Sequence, residues 1–387
     1  MTSAEARKES ELALVKPFLG TGALSAANLF DVKGWVCVVT GGGTGLGLVT
    51  AAALAENGAK VYITGRRLET LEAAAKTAAP TSGPGKIIPV QADAATKEGV
   101  QKMRDAVAKD EKWLNLLVNI ERLTAQSGQS VNRQIVQDAL AQWESERVKR
   151  KPPNSFGRVF NPHKRQKTAR GAILFWSCTS PSNFSLGSLP VQGPLTEDHG
   201  ISLPHAEPDQ TDNSPEALAK EMFENETYEH WLDAYRTNTA SYYFTTWAFV
   251  PLLSAARTEG GAAEPGNIVN ISSMSGVTRT SQRGQFSAAT ISLTDQLAFE
   301  LARRALGIRV NTICPGYFPS GMSVFPPDRV SDPEAHAAEW REKWGVPFAR
   351  AGTARDYAQC IFGIVTNGYQ TGSHVIIDGG WLLEQAF

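Results

Sequence analysis

The stretch best suited to bind a ligand is Thr40-Gly41-Gly42-Gly43-Thr44-Gly45-Leu46-Gly47, which follows the apolar run WVCVVT and precedes LVTAAALAENG. Glycines let a chain turn sharply and bring its backbone close to a pyrophosphate, and a helix starting there offers unpaired N–H groups and the positive end of its dipole. Glycine strings also mark ordinary turns, so the preceding strand and following helix supply the needed context. At the end of the next apolar run the chain reads Thr64-Gly65-Arg66-Arg67. An acidic residue there would bond the hydroxyls of an adenosine ribose and repel a 2′-phosphate. Guanidinium forks bind phosphate oxygens bidentately, so this pair points to NADP(H), with Arg66 the better candidate. The plainer alternative is two surface arginines opening a helix.

These groups must be held by a scaffold, and its signature recurs along the chain. Short apolar runs at 35–40, 60–64, 86–91, 114–119, 267–272, 308–313 and 374–378 alternate with alanine-rich segments of helical spacing. Alternating strands and helices predict a parallel sheet covered by helices on both faces. Near-continuous apolarity within the runs agrees, because such strands are buried on both sides. The expected fold is therefore α/β, a doubly wound parallel sheet of the Rossmann kind.

Residues 120–199 break the rhythm, with weak periodicity apart from a helical pattern near 131–147. Between Arg147 and Arg170 stand nine Lys/Arg and no acidic residue. Clustered cations suit a nucleic-acid or nuclear-import patch, whereas composition favours a solvated, poorly ordered insertion. The expected layout is an N-terminal extension over 1–30, a first Rossmann part over 31–119, the insertion over 120–199, and a second part over 200–387.

Composition narrows the function classes. A net charge of -1 gives no global attraction to nucleic acid or anionic membrane, which leaves small molecules as the expected partners. Cys37, Cys178, Cys314 and Cys360 stand far apart with no Cys-X2-Cys pair, so neither a zinc site nor a disulfide framework is suggested. No metal is expected. The N-terminus lacks the uninterrupted apolar core of a signal peptide, and no apolar stretch has the length of a membrane span, so a soluble cytoplasmic protein is expected.

The residues from Thr40 to Gly47 match the Thr-Gly-X3-Gly-X-Gly turn of the short-chain dehydrogenases/reductases, and the chain resembles that family over 31–119 and 200–387. Further matches follow in order. By this resemblance Asp93 is the adenine-contacting aspartate and Asn119 the first residue of an Asn-Asn-Ala-Gly motif. Asn238 is the asparagine that supports a proton-relay water, and Ser273, by its spacing to Gly276, is the substrate-orienting serine. Pro315, Gly316, Phe318 and Ser320 would border the nicotinamide. Thr40, Gly41, Thr44, Gly45, Leu46, Gly47 and Arg66 would complete the cofactor site. The resemblance further implies a homo-oligomer and places substrate selection in residues 317–346, whose Phe325, Trp340 and Trp344 line a pocket or pack as core.

Two departures bear on chemistry. The Asn-Asn-Ala-Gly motif is interrupted after Asn119, and the expected continuation resumes near Gly200. The family's Tyr-X3-Lys, which supplies a proton and holds the nicotinamide ribose, is missing. Aligned without a gap its positions are Phe286 and Thr290; alternatively the motif is absent between Ser287 and Ala288. Phenylalanine has no ionisable proton and threonine no charge. Tyr317 and Tyr242 are the aromatics that could substitute as acid, although walls of a pocket are their commoner role.

Three functions are consistent with these residues. One is an NADP(H)-dependent oxidoreductase acting on a carbonyl or alcohol of a small organic substrate, secondary metabolites included. Another is a pseudoenzyme that keeps the fold and binds dinucleotide or a partner. A third is a mis-spliced form of an active reductase, since both departures fall cleanly within well-matched motifs, whereas gradual decay would scatter substitutions.

Overall fold

The computed structural model describes residues 24–120, 214–224, 227–278, 286–320 and 328–385. Most of the stretch expected to be a disordered insertion, and Phe325 with it, lie outside the described residues. In chain order the elements are α1 (Ala26–Leu29), β1 (Val36–Thr40), α2 (Gly45–Glu56), β2 (Lys60–Gly65), α3 (Leu68–Thr77), β3 (Lys86–Gln91), α4 (Lys97–Asp110), β4 (Leu116–Asn119), α5 (Pro215–Glu224) and α6 (Tyr228–Tyr235). A π turn (Arg236–Ala240) leads directly into α7 (Ser241–Thr258), followed by β5 (Asn267–Ile271) and a 3-10 turn (Met274–Gly276). Then come α8 (Phe286–Arg303), β6 (Arg309–Pro315), α9 (Asp328–Ser331), α10 (Ala337–Glu342), α11 (Ala354–Val365), β7 (His374–Ile377) and α12 (Trp381–Gln385).

All seven expected strands form, and they pair in parallel in the order β3-β2-β1-β4-β5-β6-β7. The sheet is doubly covered because each central strand is apolar on both sides. Cys37 and Val39 of β1 face a core built with Ala51 and Leu54 of α2 and Tyr357 and Ile361 of α11. Val36 and Val38 face the opposite core, with Met103 of α4, Phe249 and Leu253 of α7, and Leu297 and Leu301 of α8. Edge strand β3 tolerates Pro89, since only one of its sides must donate to a neighbour.

Chain order reverses between β1 and β4, and in open parallel sheets ligands bind beyond the carboxyl ends of the strands at such a switch point. Thr40 and Asn119 end these two strands. The Ile120 N–H donates to Thr40 Oγ1 at 2.9 Å, and that hydroxyl lies 3.2 Å from the Ile120 carbonyl oxygen. One threonine thereby ties the strand ends that flank the crevice.

Candidate active site

The glycine turn has the shape that its composition predicts. Gly41 and Gly45 take positive φ, 59° and 53°, a region in which a side chain is disfavoured. A Cβ on Gly47 would sit 2.4 Å from the Gly41 carbonyl oxygen, and one on Gly42 2.7 Å from Ile63 Cβ. The backbone is therefore folded tightly on itself and against β2. Thr44 precedes α2 in extended conformation and makes no side-chain cap to it, so the first N–H groups of α2 are left for an anion. A Cβ on Gly45 would lie 3.2 Å from Ser320 Cβ, which sets the segment after β6 directly against the turn. Leu46 is partly buried against the α2-side core.

Arg66 and Arg67 are exposed where β2 ends, and Arg67 is the residue from which α3 starts. Gln91 Nε2 donates to the Arg66 carbonyl at 3.0 Å, fixing the backbone while leaving the guanidinium at the surface. Asp93, just beyond β3, accepts from Ala95 N–H at 3.0 Å through Oδ1.

Ser272 and Ser273, which follow β5, are held differently. Ser272 Oγ donates to the Ser287 carbonyl at 2.8 Å, anchoring the start of α8. Ser273 caps the 3-10 turn, its Oγ accepting from Ser275 N–H at 3.1 Å, which leaves its own proton to donate elsewhere. Asn238 is buried within the π turn, and its side-chain amide donates to the Ala234 carbonyl at 3.1 Å. Thr290 Oγ1 donates to the Asn238 carbonyl at 2.7 Å. Helix α8 thus begins at Phe286 and presents a hydroxyl at position 290 against the π turn.

The candidate substitute acids fare differently. Tyr242 is buried and its hydroxyl donates to the Ile271 carbonyl at 2.9 Å, so it is committed to the core. Tyr317 is half-buried, with its ring 5.7 Å from that of Trp344 and 6.4 Å from that of Trp340. Trp340 and Trp344 pack as core with Trp381 and with Met274, the residue after Ser273. Trp381 Nε1 donates to the Trp344 carbonyl at 3.1 Å, and Asp378 accepts from the Gly380 and Leu382 N–H groups, so the C-terminal turn is tied to this aromatic cluster. Pro315 ends β6, and a Cβ on the next residue, Gly316, would come within 2.9 Å of Asp378 Cβ. The Phe318 ring is buried, 5.8 Å from that of Tyr357 in edge contact.

Burial pushes the thiols of Cys314 and Cys360 up, to about 12 and about 11, and raises that of Cys37 as well. None of these three free cysteines offers a thiolate near neutral pH.

Residue types alone did not single out Asn270 and Thr294, nor Thr290 except as the place of an absent lysine; the three join the two candidate catalytic segments. The available signal was the recurrence of threonine at 290 and 294, polar residues four apart on the face of α8 that the sheet covers.

The pattern of the family described as short chain dehydrogenase matches residues 35–138, and that described as enoyl-(acyl carrier protein) reductase matches 213–382. The short-chain dehydrogenase/reductase PhomF of Diaporthe leptostromiformis is 28% identical over 368 residues, covering 94% of this chain and 96% of the relative. The short-chain dehydrogenase/reductase VdtF of Byssochlamys spectabilis is 53% identical over 97 residues, 25% of this chain and 30% of the relative. Among solved structures, the RhlG/NADP active-site complex of Pseudomonas aeruginosa is similar in fold, with a TM-score of 0.55 at 22% identity, covering 91% of this chain and 98% of that one. With a doubly wound sheet, the glycine turn at its switch point and these relatives, the chain belongs to the short-chain dehydrogenase/reductase family.

Proposed function

We propose that this protein is an NADP(H)-dependent oxidoreductase in type, built to act on a carbonyl or alcohol of a small organic molecule. The observation that carries this reading is the cradle at the switch point, a turn in which Gly42 and Gly47 leave no room for a Cβ and Gly41 and Gly45 take positive φ, opening an uncapped helix beside an exposed arginine pair. The cofactor supplies or accepts hydride when bound. The chain's own part is to hold it: the N–H groups at Thr44 to Gly47 face the pyrophosphate, Arg66 takes the 2′-phosphate and Asp93 the adenine. Gly316 and Ser320 border the remainder, with Phe318 contributing through its backbone, while the buried Asn119 and Pro315 support the cradle from the strand ends. Ser273 donates to the substrate oxygen and so orients the carbonyl.

A second reading, a catalytically impaired binder of the same fold, is favoured by the start of α8. The hydroxyl at position 290 is donated to a main-chain carbonyl, Phe286 has no proton to give, and Tyr242 is committed to Ile271. Loss of a positioned acid typically costs about 10²- to 10⁴-fold in rate.

Stopped assays of NADPH consumption against ketones and quinones separate the two. The chain as written should turn over little, while a Tyr-X3-Lys insert between Ser287 and Ala288, alone or with residues 120–199 replaced by a continuous Asn-Asn-Ala-Gly turn, should raise turnover greatly. Robust reduction by the unmodified chain would overturn the impaired reading and point to another acid, with Tyr317 the first to test. Sequencing the messenger RNA checks whether the expressed chain already carries the intact motifs.

A further inference from the structure

We infer that Thr290 is a positioning residue of this site, whose hydroxyl locks the π turn carrying Asn238 and ties it to the strand that leads into Ser272 and Ser273. The inference rests on the oxidoreductase reading only for the proton-relay part that the family resemblance gives Asn238.

From Tyr228 to Thr258 the chain is helical throughout, with the π turn set between α6 and α7. Such a turn exchanges i→i−4 bonds for wider i→i−5 ones, seen here in Ser241 N–H donating to the Arg236 carbonyl. It is an uncommon form, and here it receives bonds from outside the helix. Thr290 Oγ1 supplies one, at 2.7 Å from the Asn238 carbonyl oxygen and 3.0 Å from that of Phe286. A hydroxyl has a single proton, and the shorter contact is the one that crosses between helices. Thr239 Oγ1 lies 3.4 Å from the Phe286 carbonyl and 3.5 Å from Thr290 Oγ1, so its own proton serves the same cluster.

The lock is anchored on its other side. Thr294 Oγ1 donates to the Thr290 carbonyl at 2.9 Å and accepts from Asn270 Nδ2 at 3.0 Å. Asn270 lies on β5, two residues before Ser272. A continuous buried path of hydrogen bonds thus runs from the serine-bearing strand through Thr294 and Thr290 to Asn238. Thr290 is fully enclosed, and no solvent can take the place of its hydroxyl without local opening.

The test is hydrogen–deuterium exchange of the full chain, followed in peptides covering 236–243 and, for comparison, 36–40. Thr290→Val keeps the shape and removes the hydroxyl, and it should speed exchange over 236–243 by roughly tenfold or more, since a buried carbonyl loses its donor. Thr290→Ser keeps the donor and should stay within about threefold of the parent, and neither change should alter 36–40. Should Thr290→Val fail to fold, Thr290→Ala carries the same expectation. Parent-like exchange over 236–243 without the hydroxyl, or equally fast exchange in Thr290→Ser, would overturn the proposal. NADPH titration of the same samples tests the oxidoreductase reading separately: absence of binding by the parent would sink that reading and leave the lock to be judged by exchange alone.

Discussion

The side-chain amide of Asn119, the last residue of β4, donates to the carboxamide oxygen of Asn270 on β5 at 2.9 Å, with both residues fully buried. The two stand directly opposite each other in the parallel register. Thr312 Oγ1, on the far side of β5, donates to the Asn270 carbonyl at 2.8 Å, so three adjacent strands are bonded through polar side chains at the sheet centre. By way of Asn270, Thr294 and Thr290, hydrogen bonds connect Asn119 to the π turn.

Replacing Asn270 by alanine should therefore be costly. It removes the acceptor for Asn119, leaving a buried amide unpaired at about 1–3 kcal/mol, and takes away the bond that the Thr294 hydroxyl accepts, worth about 0.5–1.5 kcal/mol more. Urea unfolding should show a loss of roughly 2–5 kcal/mol; a loss below about 1 kcal/mol would mean that the pair contributes little.

Two glycines inside helices should respond oppositely to alanine. At Gly47 the new Cβ meets the Gly41 carbonyl oxygen at 2.4 Å, and that oxygen belongs to backbone that cannot easily step aside. Gly47→Ala should cost about 1–3 kcal/mol of stability and weaken NADPH binding by roughly tenfold or more. At Gly363, exposed on α11, an added Cβ would have no neighbour within 4 Å, so Gly363→Ala should stabilise by about 0.5–1 kcal/mol. Melting curves of both variants decide, and destabilisation at Gly363 would contradict the helix argument.

Cofactor preference tests the arginine pair. The protein should bind NADPH more tightly than NADH, and Arg66→Ala should shrink the preference by roughly ten- to a hundredfold, the worth of a charge-assisted bond to phosphate. Equal affinity of the parent for the two cofactors, measured by fluorescence titration, would remove the assignment.

Acid stability should report the cap of α11. The Arg350 guanidinium, 2.7 Å from Asp356, together with the Thr353 backbone and hydroxyl, holds the Asp356 carboxyl down at about 2. A carboxyl lowered on folding adds stability that is complete above its unfolded value, about 3.9, and is lost as pH falls through the folded value. The loss should fall between about pH 4 and pH 2, and screening at this partly exposed pair keeps it below about 1 kcal/mol. Asp356→Asn should flatten that part of the stability–pH curve; an unchanged slope would show that other carboxyls dominate.

The seven strands and the glycine turn were legible in the sequence because the forces that specify them are local. A run apolar on both faces must lie inside a covered sheet, and glycines such as Gly41 and Gly45 announce backbone conformations that few other residues accept. The residue types at 286 and 290 are likewise a matter of sequence, since no fold can give Phe286 a proton or Thr290 a charge. Which side chains remain for chemistry was decided only by tertiary contacts. Tyr242 is a candidate acid by residue type, and only the fold places its hydroxyl on the Ile271 carbonyl. Thr290 drew notice only as the place of an absent lysine, yet its hydroxyl meets a carbonyl 52 positions earlier, and Asn119 meets Asn270 across 151. Local pattern reports the backbone conformation and burial that a segment demands, whereas the partner of a buried hydroxyl or amide depends on how distant segments pack, and that is set only when the sheet has closed its two cores.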